Sequence, residues 1–285
     1  MGSPASPHEP ASPDELASPD EPASPDEEVL RGGIANAGLV VRIGDETHRP
    51  AGEQSPTVHA LLAHVRAAGF DGVPEPLGIA AGRERLRFVV GDVPCPPFPR
   101  WSQSDAALAS TAALLRRFHD ATLTFVPPTD ARWDSELADP RPGDVICHND
   151  VCPENVVYRA GEAVALLDFD FAAPGRRVHD LASLARMCIP IDTDDDAART
   201  GRRGLDPFHR LRVAADGYGL TTDRPELVDA LANQMRGGGA FVQRRVAAGD
   251  PAFTRMWNEM GGAERYERRE RWFDANRQRF LDALR

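Results

Sequence analysis

The sequence predicts an α+β protein of two lobes, a small antiparallel β-rich front and a larger helical back, preceded by a disordered N-terminal tail. Three observations lead there. Short strand-like runs punctuated by Gly and Pro fill the chain up to about residue 90, and helical periodicity dominates beyond 100. A Pro-rich stretch, Val93–Pro99, separates the two regimes as a linker. The first residues repeat Ala-Ser-Pro-Asp-Glu at 11–15, 17–21 and 23–27, with Ala-Ser-Pro-His-Glu at 5–9. The expected organisation is therefore a tail over 1–28, a front lobe over 29–92 and a helical lobe over 93–285.

The tail carries eight acids and no Arg. A Pro-rich acidic repeat with almost no large apolar side chains cannot offset the entropy of ordering it. Once those acids are set aside, 36 remain against 33 basic residues, so the net charge of −11 belongs mainly to the tail. That balance argues against nucleic acid or an anionic membrane as a partner. All 33 basic residues are Arg, which excludes chemistry that requires lysine, such as a Schiff base or a P-loop Lys. No apolar run approaches the ~20 residues of a membrane span. The tail lacks the apolar stretch of a signal peptide, and the four Cys follow no zinc pattern. A soluble cytoplasmic protein with reduced thiols is expected.

The elements follow in order. Arg31 to Gly38 forms a glycine-bearing turn before the apolar run Leu39–Val41. Gly44-Asp45 reads as a hairpin turn, with Glu46–Arg49 as the returning strand. Ser55 caps a helix with Pro56 in its first turn and Val58, Leu61, Leu62 and Val65 on one face. Gly72 and Pro74 to Pro76 close that unit, and Arg85–Val90 is a further strand. In the back lobe, Ser104 caps a helix that aligns Leu108, Leu114, Leu115 and Phe118. Two short strands follow a loop at 139–155, and helices are expected near 179–188, 206–217, 224–236 and 263–284. The Arg-rich face of the last helix, Arg265 to Arg279, reads as solvated.

Chemistry concentrates in Cys147-His148-Asn149-Asp150-Val151-Cys152-Pro153-Glu154-Asn155 and in Leu167-Asp168-Phe169-Asp170. Apolar runs at 156–158 and 163–167 flank Arg159 to Glu162. A two-residue turn at Gly161-Glu162 would set Asn155 opposite Asp168, ~5 Å apart at Cβ. Two oxygen donors so placed can share a hard cation such as Mg²⁺. Asp150 would lie beside it, free to take a hydroxyl proton during attack on a bound phosphate. A metal-dependent hydrolase built on His148, Asp150 and Asp168 is a weaker alternative, because such sites usually supply more His ligands.

His148-Asn149-Asp150, followed by Asn155 and by Leu166-Leu167-Asp168-Phe169-Asp170, resembles the catalytic motif and metal-binding Asp of the aminoglycoside phosphotransferase and choline-kinase-like family. The resemblance implies a bilobal protein-kinase-like fold. The implied activity is phosphorylation of a hydroxyl on a small-molecule acceptor, with ATP or GTP and Mg²⁺. It assigns Asp150 as base, Asn155 and Asp168 as metal ligands, and structural roles to His148 and to Asp180 in His179-Asp180-Leu181-Ala182. Gly32, Gly33 and Asn36 resemble the phosphate-covering turn. The sequence departs from the family at the strand Lys that holds the phosphates. Arg49 occupies that position, and the partner Glu has no clear equivalent, His59 standing where it would be sought. A catalytically weak or silent nucleotide-binding protein is therefore the alternative. On the acceptor side, Asp192, Asp194 and Asp195 form a candidate acidic rim for a cationic acceptor.

Overall fold

The computed structural model describes residues 27–30 and 38–285. In the front lobe, strands β1 (Glu27–Val29), β2 (Val41–Ile43) and β3 (Glu46–Pro50) precede helix α1 (Ser55–Ala67). Strands β4 (Pro76–Ala80) and β5 (Arg83–Arg87) complete an antiparallel sheet of order β1-β2-β3-β5-β4. Gly44 supplies the positive φ of the β2–β3 turn. Helix α1 is capped one residue earlier than expected, at Gln54, while the Ser55 hydroxyl accepts from the Gly52 amide. Its apolar face, Val58, Leu61, Leu62 and Val65, is buried.

Two front-lobe expectations need correction. The tail boundary at 28 is too late, because Glu27 and Glu28 pair with Ile43 and Arg42 in β1 and Glu28 faces the Arg42 guanidinium at 3.7 Å. The tail expectation for 1–26 lies outside the described residues. Pro76, expected to close a unit, instead begins the edge strand β4, where a missing N–H costs no ladder bond. A bulge at Gly78 then lets β4 follow β5.

The back lobe consists of α2 (Asp105–Thr122), β6 (Val145–Cys147), β7 (Val156–Arg159), β8 (Glu162–Leu166), β9 (Ala173–Gly175), α3 (Arg177–Cys188), α4 (Asp194–Arg199), α5 (Pro207–Tyr218), α6 (Arg224–Ala247), α7 (Pro251–Glu259) and α8 (Gly262–Ala283). Ser104 caps α2 by accepting from the Ala107 amide at 3.1 Å, and Leu108, Leu114, Leu115 and Phe118 are buried as its periodicity requires. One core joins α1 of the front lobe to α2, α3, α5 and α6 of the back. The lobes are also tied at the strand end before the Pro-rich linker. There Asp92 and Tyr158 exchange both backbone hydrogen bonds at 2.8 Å. Among the described residues, no helix is long and apolar enough to cross a membrane.

Helices α4 and α7 have no counterpart in the sequence expectation. Each is short and begins at a side-chain cap, Thr193 and Asp250 respectively, rather than from a long apolar period. The solvated-face reading of α8 also fails in part. Arg265 pairs with Asp192 at 3.0 Å, Arg268 with Asp196 at 2.8 Å, and Arg269 donates to the Ile191 carbonyl at 2.8 Å. These arginines fasten the segment after α3 to the C-terminal helix.

Candidate active site

Strand β6 pairs with β9, so the chain leaving Cys147 runs beside the segment entering Ala173. The first residues past β6 are His148, Asn149 and Asp150. Asn149 adopts a left-handed conformation, φ 66°, which Asn tolerates better than most residues. The turn is held from beneath. Asp180, in the first turn of α3, accepts the amides of His148 at 2.6 Å and Asn149 at 2.8 Å. His119 of α2 contacts the same carboxylate at 2.9 Å, and its other ring nitrogen meets the Tyr218 hydroxyl at 2.7 Å. Burial pushes the Asp180 carboxyl up, but the His119 hydrogen bond and charge hold it below the usual range. Ser183 donates to the Asn149 carbonyl, and Asn149 Nδ2 donates to that of Phe171. His148 Nε2 donates to the Leu167 carbonyl at 2.8 Å while its Nδ1 accepts the Asp150 amide, so the ring hydrogen sits on Nε2. His148 and Asp180 thus couple the loop to both neighbouring segments.

Asp150 is half-buried, and desolvation raises its carboxyl above the ordinary range against the opposing charge of Arg186. Asn155 Nδ2 donates to the Asp150 carbonyl at 3.0 Å and to its carboxylate at 3.2 Å. The expected hairpin register is off by one. Ala160 and Gly161 both have positive φ, so the two-residue turn is Ala160-Gly161, as in type I′, and a bulge follows at Val157/Tyr158. Asn155 consequently faces Leu167, whose amide donates to its carbonyl at 2.8 Å, and Asp168 is the next residue. Asp168 itself takes a left-handed turn, φ 60°.

Arg49, at the end of β3, crosses between the lobes. Its Nε donates to Glu84 at 2.5 Å, Nη1 to Asp168 at 2.7 Å and Nη2 to Asp170 at 2.6 Å. Glu84 also meets His59 Nε2 of α1 at 2.9 Å. The partner acid that the sequence left unlocated is therefore on β5, and the helix reaches it through His59. The signal for Glu84 was present: in Arg83-Glu84-Arg85-Leu86-Arg87 it shares the inward face with Leu86. Burial raises Asp168, yet the Arg49 charge and hydrogen bond bring its carboxyl below the usual range. Asp170 goes the other way, pushed up to about 6 by burial and by the Asp168 charge. Arg49 is held firmly protonated, since the three carboxylates outweigh its burial.

The donor set suits a hard divalent cation. No hydrogen bond among the described residues engages Asn155 Oδ1, because its amide nitrogen is the atom turned toward Asp150. Asp168 gives only one oxygen to Arg49. An amide oxygen and a carboxylate oxygen are ligands that Mg²⁺ accepts. Gly32, Gly33 and Asn36 lie outside the described residues. The acidic run is no open loop: Asp192 and Asp196 are buried against α8 arginines, while Asp194 and Asp195 are exposed on α4, with Asp195 3.2 Å from Arg203. Sequence reasoning gave no role to Glu84, Asp170, His119 or Arg186.

Comparison with known proteins covers the same region. The profile of the phosphotransferase enzyme family matches residues 126–215, which include the loop, Asn155, Asp168 and Asp180. A trifolitoxin immunity protein of Rhizobium leguminosarum bv. trifolii is 36% identical over 201 residues, spanning 67% of this chain and 75% of that protein. A choline/ethanolamine kinase family protein from Mesorhizobium loti superposes with a TM-score of 0.60 at 19% identity, over 91% of this chain and 92% of that one. An aminoglycoside phosphotransferase from Alicyclobacillus acidocaldarius superposes with a TM-score of 0.52 at 16% identity, over 85% and 90%. The two-lobed fold is thus kinase-like.

Proposed function

The chain belongs to the phosphotransferase enzyme family, and on that premise we propose that it transfers the terminal phosphoryl group of ATP or GTP to a hydroxyl of a small molecule. The observation that carries this reading is the loop geometry. Asp150 is presented by a turn whose amides are locked to Asp180, with Asn155 and the Asp168 segment beside it. Asp150 accepts the acceptor's proton as the new O–P bond forms and the bond to the leaving nucleoside diphosphate breaks. Its raised carboxyl makes it a better base than an exposed Asp. Asn155 and Asp168 would hold Mg²⁺, which supplies charge neutralisation to the nucleotide phosphates. Arg49 fixes Asp168 from the front lobe and keeps a donor on Nη2 for a phosphate oxygen. Gly32, Gly33 and Asn36 are proposed to cover those phosphates.

The likeness to a protein named for immunity to trifolitoxin extends the proposal: the acceptor is a toxic hydroxylated compound, and phosphorylation inactivates it. The engagement of Arg49 by three carboxylates supports a second reading, a silent nucleotide-binding module. Phosphoryl transfer from labelled ATP and GTP to a library of hydroxylated metabolites and antibiotics separates the two. Asp150→Ala should lower kcat by about 10²–10⁴ while Mg–nucleotide still binds. Full turnover in that variant removes the base assignment, and nucleotide binding without transfer to any acceptor favours the silent module.

A further inference from the structure

Arg186 is the charged group near Asp150 that the reaction outlined above does not use. It sits on α3, and its Nε is buried without a hydrogen-bond partner. No carboxylate among the described residues comes within 4.0 Å of its guanidinium. Yet Asp150 and Arg186 are each other's strongest opposite charge. Ser183 and Cys188 of the same helix reach the carbonyls of Asn149 and Val151, so Arg186 lies beside the Asp150 turn without forming an ion pair with it.

The neighbouring helix makes room for this side chain. Gly237, Gly238 and Gly239 interrupt the middle of α6, where each Gly costs about 1 kcal/mol relative to Ala. A Cβ at Gly238 would lie 2.7 Å from Arg186 Nη1 and 3.0 Å from its Cζ. At Gly239 a Cβ would press on the Tyr266 ring, which stacks on Trp257 at 5.2 Å. The Arg186 backbone is fixed as well, its carbonyl accepting from Arg269 at 2.9 Å. A buried, unpaired guanidinium nitrogen is costly, and here α6 gives up helix stability to seat the side chain that carries it.

Of the acids expected to attract a cationic acceptor, Asp192 and Asp195 are paired within the protein, while Asp194 is exposed and makes no ion pair among the described residues. Asp192 is taken by Arg265, Asp196 by Arg268 and Asp195 by Arg203. Glu154, which also faces Asp150, has its charge opposed by Arg202. Among the described residues, the positive group beside the candidate base that makes no ion pair is Arg186.

We propose that Arg186 anchors the acceptor and that the acceptor is a hydroxyl-bearing anion, carrying a carboxylate or phosphate that docks on this guanidinium while its hydroxyl meets Asp150. This rests on the phosphotransferase reading of the site. A guanidinium suits either oxyanion bidentately.

Four probes on one scaffold test it: glucuronate, glucose 6-phosphate, glucose and glucosamine, offered with Mg–ATP to the full chain. Transfer rates and calorimetric binding are both read. At least one anionic probe should bind 10-fold or more tighter than glucosamine, carboxylate and phosphate being told apart by which one does. Arg186→Gln should erase that preference, weakening the anionic probe roughly 10- to 100-fold, as loss of a charge-assisted pair does. Gly238→Ala retains the charge but displaces the guanidinium, and should shift selectivity in the same direction even if Arg186→Gln folds poorly. Equal or better use of glucosamine, no binding of either anionic probe, or an Arg186→Gln loss equal for glucose and the anions would each overturn the proposal. The last outcome would assign Arg186 to the transferring phosphoryl group. Failure of the phosphotransferase reading looks different, since the wild-type chain would then transfer phosphate to no acceptor of any charge, whether or not it binds Mg–nucleotide.

Discussion

Arg49, Asp168 and Asp170 share one charge network, and the two carboxyls respond oppositely although the guanidinium reaches both. Asp168 is drawn down by Arg49, whereas Asp170, burdened by burial and by the Asp168 charge, is pushed up to about 6. The sign for Asp170 follows directly. Its folded value lies above the unfolded ~3.9, so its contribution to stability is full below that value and is lost as pH rises through about 6. The magnitude is on the order of 2–3 kcal/mol. Asp170→Asn should therefore flatten the stability–pH curve between about pH 4 and 6 relative to wild type, as read by urea denaturation. An unchanged slope would mean that Asp170 is not the group titrating there. None of this is visible from Asp168-Phe169-Asp170 alone, since the motif shows two acids but not the guanidinium that both of them meet.

Among the elements, α3 matters most, because its first turn carries the carboxylate on which the candidate catalytic loop rests. Asp180 accepts two loop amides and binds His119 of α2, with no exposed atoms to exchange these partners for water. Asp180→Asn would turn an NH₂ group toward at least one of those amides and should destabilise the protein by about 2–4 kcal/mol at neutral pH. The wild-type carboxyl is held low, so its contribution is present above ~3.9 and disappears as pH falls through its folded value. The difference between the two proteins should accordingly shrink in acid. A deficit independent of pH would point to packing rather than charge. The loop, Asn155 and Asp168 were legible as motif residues because their spacing is local. The hairpin register was not, because Ala160 is an ordinary residue holding a positive φ that its type does not announce.

Across the whole molecule, the same Arg49 that stands in the strand position is the cross-lobe tie, joining β3 and β5 to the segment after β8. Arg49→Ala would leave Glu84, Asp168 and Asp170 facing one another uncompensated, a loss of about 3–5 kcal/mol. Two readouts are expected beyond stability: faster hydrogen exchange where the lobes meet, and weaker Mg–nucleotide binding. Unchanged nucleotide affinity would remove the phosphate role of Arg49 and leave only the tie. Because Arg49 and Glu84 are buried, the tie should resist added salt.

The two-lobe order, the candidate catalytic loop as a motif and the absence of lysine were determined by the sequence alone. Each is expressed in short-range periodicity, local spacing or composition. Only the tertiary structure decided what those residues face. Glu84 meets Arg49 from 35 positions away and Asp168 from 119, and α8 neutralises Asp192 across 73. Arg186 is marked by the partner it lacks. Contacts between distant parts of the chain, and their absence, leave no period in the sequence, because side-chain pairing is settled by how the elements pack and not by the neighbours along the backbone.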